Sequence, residues 1–205
     1  MRFFIVGLGK FGRLALDKLS SSFPNSLITV VEQDPMQTVG IVKSNISVVY
    51  EDAVTFLIRP HVMESTDWII PMVPFHLAAS LLLASRYGIC NTVFPESVLS
   101  IVPNPHVVNA SNIYCSKSDF LCPDECPEGD LCTVTGKPRN PLYLELERID
   151  LKGFTIIVLR SVQILAGVGG YQVADLLSII KRITPGKYII GTSCKCHAIL
   201  TAIER

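Results

Sequence analysis

The chain has 205 residues, room for one ordinary domain with a smaller appendage. Apolar residues make up 49% and charged residues 18%, at a mean hydropathy of +0.41, which excludes a disordered or solvating role. Eighteen Lys and Arg balance eighteen Asp and Glu, so the basic excess of a phosphate-neutralising nucleic-acid binder is absent.

The apolar start of the chain breaks at Gly7 without a small-residue cleavage site, unlike a secretory signal. Residues 68–84 are apolar over nearly a membrane's thickness, but Pro71, Pro74 and His76 interrupt them. A strand followed by a buried helix accounts for that stretch better. A soluble, cytoplasmic protein with no membrane insertion is therefore expected, and its seven cysteines are expected to be reduced.

In chain order, residues 3–6 read as a short buried strand, and a glycine turn leads into a helix to about residue 19. Phe11, Ala15 and Leu19 share a face of that helix. Strands are predicted over 27–31, 46–50 and 68–73, a helix over 76–85, and a further strand over 92–94. Fully apolar strands alternating with helices require a parallel sheet covered on both faces. The fold class is thus α/β, a Rossmann-like parallel sheet with a cysteine-rich insertion and a small C-terminal α/β portion. The boundaries fall at 1–108, 109–141 and 142–205.

Gly7-Leu8-Gly9-Lys10-Phe11-Gly12 forms a GxGxxG motif between a predicted strand and a predicted helix. Gly7 permits a tight turn, Gly9 lets a pyrophosphate approach the backbone, and Gly12 lets helix and strand pack closely. The helix N-terminus, at Lys10 and Phe11, offers free N–H groups to phosphates. Glu32 ends the second strand twenty residues after Gly12, where a carboxylate accepts ribose hydroxyls and favours NAD over NADP. A glycine turn that binds nothing is the plain alternative.

These residues resemble the NAD-binding domain of the potassium-uptake regulators (RCK or TrkA-N type), from residue 1 to about 86. The matching features are the glycine loop, Glu32 and Asp34 at the second strand end, and Glu51-Asp52-Ala53 after the third. The resemblance implies a nucleotide crevice that includes Asp52, and a regulator as one functional expectation. The family's usual Gly-Asp-Ala is Glu-Asp-Ala here, and its acidic loop after the fourth strand is Val73-Pro74-Phe75-His76. Similar size and a Rossmann half also suggest a precorrin-dehydrogenase-like enzyme, without a supporting motif.

Residues 109–140 lose hydrophobic periodicity and gain thiols. Cys122, Cys126 and Cys132 stand in Pro- and Gly-rich surroundings, at spacings that let their sulfurs converge on one metal. Cys194-Lys195-Cys196-His197 follows an apolar strand and is expected to open the last helix, whose N-terminus would favour thiolate. At least one of Cys194 and Cys196 is expected to close the site, with zinc and iron–sulfur both compatible. Cys90 reads as a small buried residue.

In the last third, strands are predicted over 142–146 and 154–159 and a helix over 171–183. Arg160 with Gly167, Gly169 and Gly170 reads as a glycine loop for a substrate anion. His76, just past the fourth strand, is the candidate catalytic acid or base. The leading functional expectation is an NAD(P)-dependent oxidoreductase or redox subunit with a thiolate-bound metal. The alternative is a non-enzymatic, NAD-responsive regulator with a structural zinc. Expected partners are a small molecule or a redox protein, with a homodimer also open.

Overall fold

The computed structural model describes residues 1–85 and 88–205. The first part contains β1 (Arg2–Val6), α1 (Lys10–Ser22), β2 (Leu27–Val31), a 3-10 turn (Pro35–Thr38) and β3 (Ile46–Val49). Next come α2 (Ala53–Leu57), β4 (Trp68–Pro71), α3 (Leu77–Ala84), β5 (Cys90–Asn91), α4 (Val98–Ile101), β6 (His106–Asn109) and β7 (Asn112–Ser116). The last part holds α5 (Leu142–Glu147), β8 (Thr155–Arg160), β9 (Val162–Leu165), β10 (Val168–Gln172), α6 (Val173–Arg182), β11 (Lys187–Ser193) and β12 (His197–Glu204).

The protein is α/β, built on two mixed sheets. The first has the order β3-β2-β1-β4-β10-β9. Its β1, β2, β3 and β4 pair in parallel, and β10 pairs antiparallel to both β4 and β9. The second sheet runs β6-β7-β12-β11-β8, parallel only between β8 and β11, with β5 paired to β12.

Side-chain alternation along the strands divides the core into layers. In β1, Phe3 and Ile5 face α1 while Phe4 and Val6 face the layer shared with the second sheet. In β11, Tyr188 and Ile190 join that shared layer, and Ile189 turns towards α4 and α5. Helix α1 covers the first sheet with Gly12, Ala15, Leu16 and Leu19, spaced as one helical face. Phe11 does not belong to that face and is exposed. The apolar stretch 68–84 divides between β4 and α3, and among the described residues no helix is long and apolar enough to cross a membrane.

Several local expectations are corrected. Residues 142–146 form helix α5 rather than a strand. Leu142, Leu144 and Leu146 alternate like a strand, but Leu142 and Leu146 are also four apart, and those two are buried on one helical turn. Gly169 and Gly170 lie within β10, not in a loop. The last element is strand β12, not a helix, so Cys194–Cys196 is the turn of a β-hairpin. The predicted strand at 92–94 is instead the short β5, in which Cys90 is exposed rather than buried.

Candidate functional site

Four buried apolar residues anchor β1, and the chain then turns sharply at Gly7 with φ +87°. A Cβ on Gly7 would meet the Met72 carbonyl at 2.7 Å, and one on Gly12 would strike the Gly7 carbonyl oxygen. A Cβ on Gly9 would meet nothing within 4 Å. The three glycines thus have different physical grounds: backbone handedness, helix–strand contact and open space in front of the loop. Gly9 caps α1 without a side-chain partner, which leaves the first N–H groups of the helix to whatever lies in front.

A cavity of about 320 Å³ opens there, at the ends of β1, β2 and β4, lined by Gly7, Gly9, Glu32, Asp52, Val73 and Phe75 among others. Glu32 accepts hydrogen bonds from the backbone N–H of Leu8 at 2.6 Å and of Asp34 at 2.9 Å, bracing the glycine turn against β2. Asp52 accepts from the Thr55 N–H at 2.8 Å and caps α2. Lys10 pairs with Asp124, and Lys18 with Glu125 at 3.1 Å, so the loop of residues 118–140 sits against α1.

That loop carries the first group of thiols. Its backbone is pinned to the β9–β10 hairpin, where Gly167 N–H donates to the Cys126 carbonyl at 3.2 Å and Gln163 donates to the same oxygen. It is pinned equally to the β11–β12 turn. Lys195 N–H donates to Glu128, and Lys117 N–H donates to the Cys196 carbonyl at 2.8 Å. These contacts bring Cys122, Cys126, Cys132, Cys194 and Cys196 to the wall of one cavity of about 270 Å³, together with Glu128, Arg139 and His197.

Within it, His197 Nε2 stands 3.6 Å from the Cys122 sulfur and Nδ1 stands 3.7 Å from the Cys194 sulfur. The Cys194 sulfur also accepts from the N–H groups of Cys196 and His197, at 3.4 and 3.3 Å. Arg139 donates to the Cys126 sulfur at 3.3 Å, while its Nε and Nη1 are buried without partners among the described residues. Burial opposes the Arg139 charge, yet hydrogen bonds to Cys132 and Cys126 outweigh it and hold the guanidinium protonated. Hydrogen bonds from Thr135, then from Arg139, pull Cys132 down to about 6. Burial, and secondarily Glu128, pushes Cys194 up to about 12, and burial raises Cys196 as well. The thiolate-favouring helix end expected at Cys194 is therefore replaced by a buried turn that disfavours the charge. No three His, Cys, Asp or Glu side chains among the described residues are grouped closely enough to hold a metal ion.

Between the glycine-loop crevice and the thiol cavity lies a third space of about 270 Å³. It shares the lining residues Val73 and Phe75 with the first and Ser161, Cys194 and His197 with the second, so the three spaces are neighbours. His76 borders this middle space but is 4% exposed. Its Nδ1 lies 2.7 Å from Thr201 Oγ1 and its Nε2 lies 2.8 Å from Thr192 Oγ1. Thr201 donates onward to Asn112, so Nδ1 carries the proton and Thr192 donates to Nε2. Burial pushes the His76 pKa down to about 3. A neutral imidazole with both nitrogens occupied ties α3 to β11 and β12, and the expected acid–base role finds no support in that geometry.

Arg160 lies over the Tyr143 ring at 4.7 Å. Gly169 faces Ser161, Gly170 faces Ile70 and the Ile69 carbonyl, and Gly167 turns tightly at φ +77° against Asp124. Close packing accounts for these three glycines, and the strand ladder through Gly169 and Gly170 removes the loop on which the anion cradle rested. Sequence reasoning missed Glu128, Arg139, Ser161 and Tyr171. Glu128 and Arg139 stood inside the cysteine-rich segment, a signal that was available; Ser161 and Tyr171 gave none.

Residues 66–205 match the family described as "AF_1314_C: Uncharacterized protein, C-terminal domain". An "Uncharacterized protein" of Archaeoglobus fulgidus is 27% identical over 222 aligned positions, covering 98% of each chain. No solved structure matches. The matched segment contains all five thiols of the cavity and the middle space beyond β4, and it begins after the glycine loop. With more than half of its length inside that family's boundaries, the chain belongs to the AF_1314_C family.

Proposed function

We propose that the protein is an NAD-binding oxidoreductase or redox subunit whose thiol cavity holds zinc or an iron–sulfur cluster. One observation carries this reading. Thiols from two distant chain segments share one cavity, and a middle space that shares lining residues with both stands between it and the glycine-loop crevice.

The glycine loop suits a diphosphate. Open space in front of Gly9 and uncapped N–H groups of α1 stand where two phosphates need room and donors. Glu32 at the end of β2 would accept ribose hydroxyls and repel a 2′-phosphate, favouring NAD over NADP. Val73 and Phe75 also line the middle space, where a reactive ring would lie.

The thiol cavity suits a soft cation. Two backbone N–H groups already donate to the Cys194 sulfur, and Arg139 already donates to Cys126, as they would to ligating thiolates. Cys122, Cys126, Cys132 and either Cys194 or Cys196 would supply four thiolates after side-chain rotation. A bound iron–sulfur cluster would supply one-electron transfer, whereas zinc would hold the loop in place.

The locked, neutral His76 favours a second reading, a non-enzymatic NAD-responsive regulator with a structural zinc, because a pKa near 3 and two occupied ring nitrogens keep His76 from acting as acid or base near neutral pH. Metal analysis and an absorption spectrum of anaerobically purified protein separate the two. Broad visible absorption lost in Cys122→Ser supports electron transfer, and one zinc in colourless protein supports the regulator. No metal above background removes the metal from both.

A further inference from the structure

We propose that the thiol cavity holds zinc on Cys122, Cys126, Cys196 and Nε2 of His197, with Cys194 outside the ligand set as the residue that positions the imidazole. This deepens the reading above and rests on its metal. It narrows the thiolates to three and adds one nitrogen.

The His197 ring separates the two thiols of the β11–β12 turn. Its Nε2 stands 3.6 Å from the Cys122 sulfur and its Nδ1 stands 3.7 Å from the Cys194 sulfur. Tetrahedral zinc sets neighbouring sulfur and nitrogen ligands about 3.6 Å apart, so either edge fits by length. The two ring nitrogens point in divergent directions, so one ion cannot use both edges. The loop thiols decide between them. Burial raises Cys196, Arg139 opposes that, and the nearby charges of Glu128, Cys122 and Cys126 reinforce it. Cys194 is raised by burial and then by Glu128, without a loop thiol among the causes. The cavity walls agree. Cys194 also borders the middle space, whereas Cys196 also borders a recess on the far side with Cys132 and Arg139. Cys122 and Cys126 therefore gather with Cys196 on the Nε2 side.

Cys194 has a different part. Its sulfur already accepts two N–H groups of its own turn, from Cys196 and His197. With the ion on Nε2, Nδ1 carries the ring proton and donates to the same sulfur, which fixes the tautomer and the ring plane. Cys132 is held in a turn of its own. Its N–H donates to the Lys137 carbonyl at 2.8 Å, its carbonyl accepts from Gly136 at 2.7 Å, and Thr135 and Arg139 donate to its sulfur. Charge also favours three thiolates. With a divalent ion they leave one negative charge, which the Arg139 guanidinium donating to Cys126 offsets. Glu128, the other charged residue of the wall, is engaged with the Lys195 N–H.

Full-length protein, stripped of metal and reloaded anaerobically with zinc alone or cobalt(II) alone, tests the ligand set. Cys122→Ser, Cys126→Ser and Cys196→Ser are each expected to lose about a third of the thiolate-to-cobalt charge-transfer absorption and to bind zinc at least tenfold more weakly. Cys132→Ser is expected to match the parent. Cys194→Ala is expected to keep the full absorption yet bind zinc about tenfold more weakly, and Cys194→Ser, whose hydroxyl still accepts, to restore the affinity. In the parent labelled with 15N-histidine, zinc is expected to shift Nε2 of His197 and leave Nδ1 protonated. The ligand set is overturned if Cys194→Ala or Cys132→Ser lowers the absorption, if Cys196→Ser keeps it, or if zinc leaves the His197 nitrogens unmoved. Iron–sulfur absorption in the anaerobically purified parent overturns the set and leaves the metal reading standing. A parent that takes up neither zinc nor cobalt removes both.

Discussion

The Cys122 sulfur lies 3.6 Å from His197 Nε2, although 75 positions separate the two residues in the chain. The opposite nitrogen of the same ring faces Cys194, so one imidazole joins the 118–140 loop to the β11–β12 turn. If this junction is a metal centre, Cys122→Ser will lower the metal content of anaerobically purified protein at least tenfold. Cys90→Ser, at an exposed thiol outside the cavity, will leave it unchanged. Elemental analysis of both variants checks this, and equal metal in Cys122→Ser and the parent protein would remove Cys122 from the site.

The glycine loop yields a paired test. A Cβ on Gly12 strikes the Gly7 carbonyl, so Gly12→Ala should destabilise the fold by about 1–3 kcal/mol through overpacking. Gly9→Ala, where a Cβ meets open space, should leave denaturant midpoints within error. Gly9→Asp should keep the fold and weaken NADH at least tenfold, since a carboxylate would stand in front of the N–H groups. NADH fluorescence titration reads the last effect, and unchanged affinity counts against the crevice as a nucleotide site.

His76 makes the protein acid-sensitive. Its folded pKa of about 3 lies below the unfolded value of 6.5, so between them only the unfolded chain carries the extra proton. The stabilisation is complete above pH 6.5 and is lost as pH falls towards 3, at up to ~1.4 kcal/mol per pH unit. Urea denaturation at pH 7, 5 and 4 should show that slope, and His76→Gln should flatten it. An identical slope in the variant would assign the acid sensitivity elsewhere.

Asp67 is 3% exposed and pairs with Arg2 of β1, whose Nε donates to the carboxylate at 3.0 Å. The same carboxylate accepts from the Glu64 N–H at 2.6 Å, and the Asp67 carbonyl accepts from Val173 at the start of α6. Asp67→Ala leaves a half-buried guanidinium without its counter-charge, though still bonded to the Val62 carbonyl, and the Glu64 N–H without its acceptor, at a cost of roughly 3 kcal/mol. Thermal denaturation should show a loss of several degrees, and a change within ±0.5 kcal/mol would show that Arg2 reaches water instead.

Much of the first sheet was legible because its signals are local. Apolar runs at 3–6 and 27–31, the glycine spacing and the acidic strand end each act within a few residues of themselves. Where two periodicities coincided, as at Leu142, Leu144 and Leu146, pattern alone could not choose, and packing of Leu142 and Leu146 beneath the second sheet decided for a helix. The glycines at 167–170 looked like a loop because a strand seldom carries two adjacent glycines. Their reason is a neighbour, Ile70 and its strand, that no nearby residue announces.

By itself the sequence determined the α/β class, the glycine turn and the set of thiols available for one site. The tertiary structure alone decided that those thiols share a cavity, that an arginine stands among them, that His76 is locked neutral and that the Tyr171 hydroxyl faces no partner. The division is physical. Propensity and periodicity act over a few residues, whereas burial, dielectric environment and donor–acceptor matching exist only once β12 has paired with β7 and β11 and the 118–140 loop has docked on both hairpins.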